Sequence, residues 1–180
     1  MTVGTAPLRV DALDKVTGAA KYPADCVPPN ALHAVVVFTN QPHAKLLNLD
    51  VSEALSAPGV VTVVTAADVP VNEYGLTLFD QPVFIGLDDT GRSSVACNVS
   101  RWEADHLVVV VANSLLEARQ ASARIKSAWE PLPIASDVAT ARTDQILVHP
   151  GSTTNTYHEL RIRKGAVEQG MAAADVIIED

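Results

Sequence analysis

The chain has 180 residues, 48% of them hydrophobic and only 4% aromatic, and a formal net charge of −8. That length and apolar share suit one domain with a real core, or one domain and the start of another, and argue against disorder. The acidic balance argues against a nucleic-acid surface, which needs clustered Lys and Arg; no basic amphipathic stretch points to a membrane surface, and the longest apolar runs, AVVVF and LVVVVA, are far too short to span a bilayer.

The opening, MTVGTAPLRVDALDK, has no basic start followed by an apolar run, so no secretory leader is expected. Next comes KVTGAAKYPAD, Lys15 to Asp25. A phosphate-gripping loop needs GxxxxGK[ST] between a strand and a helix, so that backbone amides cradle the anion. Gly18 is the one glycine here and the lysines stand at other offsets, so the stretch reads as a tight turn at Gly18 between two short extended pieces.

LHAVVVFTN, Leu32 to Asn40, is rich in β-branched residues and reads as a buried strand. AKLLNLD, Ala44 to Asp50, reads as a second. Asp50 stands three residues before Glu53, the spacing of a capping box for a short helix VSEALSA, which PGV at Pro58 to Val60 stops. VVTVVTA, Val60 to Ala66, reads as a strand too apolar for the surface. From Asp68 to Ser100, turn residues break the pattern, with QPVF as the one compact apolar knot, and loops with short strands are expected. HLVVVVAN, His106 to Asn113, is the strongest strand signal. It runs into SLLEARQASARIK, where Ser114 and Glu117 form a Ser-x-x-Glu start and Ala118, Ala121 and Ile125 share one helical face. SAWEPLP, Ser127 to Pro133, reads as a strand that ends in a proline-limited turn. After Pro133 the chain reads as a surface connector, and KGAVEQGMAAADVIIED as a short helix followed by an apolar strand, DVIIE. The order predicts an α+β domain with mixed strand pairing and two main helices.

Chemistry-bearing residues are scattered. His33, His43, His106, His149 and His158 show neither HExxH nor HxH spacing. Asp88, Asp89, Thr90 and Gly91 make an acidic turn without the further ladder and closing Glu of an EF-hand. Ser93 and Ser94 follow TGR, which is no nucleophile elbow, and Cys97 has no partner motif. Cys26 and Cys97 are isolated, belong to no CxxC, and fit a reducing, cytoplasmic setting. The residues themselves offer no catalytic, cofactor-binding or metal-binding site.

Several stretches in succession nevertheless form a pattern: RVDALDKVTGAAKYPAD, LHAVVVFTNQPHAKLLNLDVSEALSAPGVVTVVTAADVP, QPVF, and RWEADHLVVVVANSLLEARQASARIKSAWEPLP. From Arg9 to Asp137 this series resembles the α/β-hammerhead domain that opens the large, molybdenum-binding subunit of molybdenum hydroxylases, the xanthine dehydrogenase, aldehyde oxidase and carbon monoxide dehydrogenase family. The tail RIRKGAVEQGMAAADVIIED is similar to the family segment that begins the molybdenum-cofactor domain. Ala104 where the family commonly has glycine, GAV at Gly165 to Val167 where it often has Gly-Asp-Val, and a longer IGLDDTGRSSVACNVS segment mark a divergent branch.

The resemblance implies a hammerhead domain at 7–136 and, at 137–180, a connector with the first helix–strand unit of a molybdopterin-binding domain. It implies scaffolding rather than catalysis: the family's cofactor loops and its glutamate base match no residue here, so none is carried over. Molybdopterin with molybdenum would belong to the parent enzyme, and iron–sulfur clusters and FAD to other domains or subunits, since two cysteines cannot hold a cluster. The implied partners are the remainder of the molybdenum-binding subunit together with iron–sulfur and flavin portions, and neither nucleic acid nor membrane. The alternative is a hammerhead module that stands alone for binding or assembly, without redox activity.

Overall fold

A computed structural model of the chain describes residues 3–76, 81–87, 96–149 and 151–179. The acidic turn at Asp88 to Gly91 and the pair Ser93 and Ser94 lie outside the described residues. The chain divides into two compact units, Met1–Leu132 and Pro133–Asp180.

The first unit carries, in chain order, α1 (Ala12–Thr17), β1 (His33–Phe38), β2 (Ala44–Asp50), α2 (Ser52–Leu55), β3 (Val60–Val64), β4 (Val99–Ser100), β5 (His106–Ala112), α3 (Leu115–Ser122) and β6 (Lys126–Pro131). The strands form two three-stranded sheets, ordered β1-β5-β3 and β4-β2-β6. The α+β class is as the sequence predicts, but all four ladders are antiparallel rather than mixed. β1 and β3 run in the same direction and would have made a parallel pair had they been neighbours. β5 inserts between them and faces both in the opposite sense.

The valine-rich sequence of β5 explains its central place. Val108, Val110 and Ala112 alternate onto one face and are fully buried, and Leu107 is buried on the other. A strand apolar on both faces can only be stable with neighbours on both edges and cover on both faces. Val35 and Val36 of β1 face Val110 and Val109, and Val63 and Val64 of β3 face the same two residues from the other edge. Each fully buried valine contributes roughly 1.5–3 kcal/mol. The core continues through Leu46 of β2, Ala54 and Ala57 around α2, Ile85, and Ala121 of α3. Ala118 and Ala121 are fully buried, because only small side chains let α3 lie so close. Ile125 stands beyond the end of α3 yet still packs against the core.

Several local expectations are corrected. The segment before Gly18 is the helix α1, not an extended piece. Asp11 and Lys15 pair at i,i+4, 2.6 Å apart, and Gly18 closes the helix in the left-handed region at φ 76°. The Asp50–Glu53 capping box does not form. Asp50 Oδ1 accepts from Ser52 N at 2.9 Å and from its hydroxyl at 2.6 Å, while Glu53 turns across to Lys126 of β6, whose Cα partner in the ladder is Asp50. β1, expected to be buried, and β3 are both edge strands: no residue of β1 is buried, and Val61 of β3 is half exposed. The expected terminal strand DVIIE does not form: Asp175 lies in a bend and no strand is assigned from Val176 to Glu179.

The second unit holds two short helices, α4 (Val138–Ala141) and α5 (Val167–Ala172). The sequence reading foresaw α5 but not α4. α4 is a single turn started by Asp137, whose Oδ1 accepts from Thr140 N at 2.8 Å.

Gly86 is where the packing admits no side chain. A Cβ there would stand 2.3 Å from the Cβ of Ala66, itself buried and unable to swing away. Gly86→Ala is expected to destabilise the first unit by about 1–3 kcal/mol, the usual range for overpacking, read as a lowered midpoint with unchanged slope in chemical denaturation.

Candidate interaction surface

The residues with catalytic potential are dispersed. His33, His106, His149 and His158 are exposed and His43 is half-buried. His106 has its ring tilted against Phe38 at 5.6 Å and Phe84 at 6.2 Å between centroids. Among the described residues no three of His, Cys, Asp and Glu converge as metal ligands. Cys26 is exposed, and Cys97 is buried with Sγ donating to Gly86 O at 3.5 Å. Cluster ligation needs four thiolates, and this chain has two cysteines.

Two polar arrangements that sequence spacing did not reveal organise the loops around the sheets. Thr39, just past β1, and Ser100, in β4, are buried and their hydroxyls are hydrogen-bonded at 2.9 Å. Ser100 Oγ reaches Gln41 O at 2.7 Å, Trp102 O at 3.1 Å and Asp105 Oδ2 at 3.3 Å. Asp105 Oδ2 also accepts from the backbone N–H of Arg101 at 2.8 Å and Trp102 at 3.0 Å, so one carboxylate oxygen holds the turn between β4 and β5. Burial lowers the pKa of the Arg101 guanidinium, and the negative charge of Asp105 works against that shift. A serine beside a carboxylate suggests a nucleophile, but Ser100 is fully buried and its hydroxyl is committed to backbone carbonyls. Its role is to fix the turn.

The second arrangement is Asn72, also buried. Its Nδ2 donates to Phe84 O and its Oδ1 accepts from Phe84 N, both at 2.8 Å. The carboxamide stands in for a strand partner and pins the connection between β3 and β4 where regular pairing is lacking. Its partner lies twelve residues away, a separation with no sequence signature.

What the surface offers is apolar contact. An open depression of about 220 Å³ is lined by Leu49 and Val51 at the end of β2, by Thr65 to Ala67, and by Gly86 and Leu87. Leu13 and Val16 of α1, Leu47 of β2 and Leu116 of α3 are exposed. The first unit is therefore an α+β domain with a closed core, polar loop anchors and several large apolar side chains on its exterior.

The comparisons with known proteins place this domain. The model of the family described as "Aldehyde oxidase and xanthine dehydrogenase, a/b hammerhead domain" matches residues 17–133. The chain belongs to that hammerhead family. It is 36% identical over 178 residues to the aldehyde oxidoreductase of Megalodesulfovibrio gigas, an alignment covering 95% of this chain and 19% of that protein. It is 29% identical to the nicotinate dehydrogenase large molybdopterin subunit of Eubacterium barkeri, covering 99% of this chain and 39% of the relative. Among solved structures, the aldehyde oxidoreductase from Desulfovibrio gigas superposes with a TM-score of 0.75 at 30% identity, over 93% of this chain and 19% of that one. Quinoline 2-oxidoreductase from Pseudomonas putida 86 superposes with a TM-score of 0.64 at 28% identity, over 78% and 18% of the two chains. The chain thus spans about a fifth of the aldehyde oxidoreductase and about two fifths of the nicotinate dehydrogenase subunit.

Asn72→Ala would leave the N–H and the C=O of Phe84 buried without their partner. The expected loss is about 2–6 kcal/mol, from one to three for each of the two unsatisfied groups. Thermal denaturation checks it, and Asn72→Asp should restore at most the bond accepted from Phe84 N.

Proposed function

We propose that this chain acts as the hammerhead scaffold of a molybdenum hydroxylase large subunit, with residues 7–136 as the hammerhead domain and 137–180 as the connector and opening helix–strand segment of the molybdopterin-binding domain. One observation carries this reading: the similarity to the aldehyde oxidoreductase takes in 95% of this chain while covering only 19% of that protein.

The parent enzyme would hydroxylate an aldehyde or heterocycle carbon with oxygen taken from water and pass the electrons to iron–sulfur clusters. Molybdopterin would supply the molybdenum at which that oxidation occurs. Among the described residues no three His, Cys, Asp or Glu side chains converge as metal ligands, and no step of the reaction is assigned to this chain. Its contribution would be to pack against the cofactor-binding remainder of the subunit, and through it to adjoin the iron–sulfur and flavin portions. The relatives' names support the partnership, one being a xanthine dehydrogenase molybdenum-binding subunit from Escherichia coli O157:H7. A cytoplasmic setting agrees with two free thiols, one of them exposed; no helix among the described residues is long and apolar enough to cross a membrane.

The test is a chimera in which this chain replaces the matching 19% of the Megalodesulfovibrio gigas aldehyde oxidoreductase. The expected result is a soluble protein that retains molybdenum and oxidises aldehyde, while the 180-residue chain alone does neither. A chimera that is soluble but devoid of molybdenum would contradict the scaffold role, as would turnover by the chain alone.

A further inference from the structure

We draw no further inference here: the strongest candidate, the open cleft between α4 and residues 155–159 that Arg142, Tyr157, His158 and Glu159 line, has no buried side chain among its walls, and nothing in the structure shows what ligand it would take.

Discussion

The burial of β5 on both faces and both edges is the constraint on which the first unit depends. The β1 ladder and the β3 ladder both end on Ala112, pairing it with His33 and with Val60. The same strand fixes its surroundings at each end. Asn113 N, just past it, donates to Gly59 O at 2.9 Å, and His106 O, at its start, accepts from Ile85 N at 2.7 Å. Ser114 follows at once and starts α3 by accepting from Glu117 N. The Glu117 carboxylate in turn occupies the space where a side chain on Gly59 would stand, and Gly59 has a left-handed φ of 76° that favours glycine. One valine-rich stretch thus sets the sheet, the turn before β3 and the placement of α3.

The polar anchors serve that arrangement rather than chemistry. Thr39, Ser100 and Asp105 lock the loops at one end of β5, with Thr39 N donating to Asp105 O at 2.9 Å. Asn72 secures the long connection between the sheets' edge strands. Buried polar groups with their bonds satisfied specify one loop conformation among many. A scaffold that must present a fixed exterior to a larger assembly has use for such loops.

Legibility in the sequence followed the range of the interactions. β1, β2 and β5 were readable because β-branched density is a local property, and the Ser114 start and the Ala118–Ala121 face of α3 because their spacing is local too. α1 leaves little local signal because its six residues bury no side chain and carry one charge pair, Asp11–Lys15, while Gly18 reads as a turn; α4, one turn capped by Asp137, leaves almost no periodic signal. The Asp50–Glu53 box failed for a tertiary reason: Lys126, from a strand distant in sequence, claimed the glutamate. The mixed sheet was wrong because strand order decides pairing sense, and nothing local says that β5 will insert between β1 and β3. Family membership was legible from the ordered series of stretches that begins with KVTG, whereas no spacing marked the bonds of Asn72 and Ser100, whose partners are backbone groups set by the finished fold.

Amide hydrogen exchange across the first unit tests the central role of β5 most directly. The amides of Val108 to Ala112 should exchange slowest of all, at a common free energy equal to that of global unfolding, with those of β1 and β3 that pair with them close behind and those of α1 exchanging through local fraying. Slowest exchange in the β4-β2-β6 sheet instead, with the β5 amides opening independently and earlier, would contradict the account and move the foundation of the fold to the other sheet.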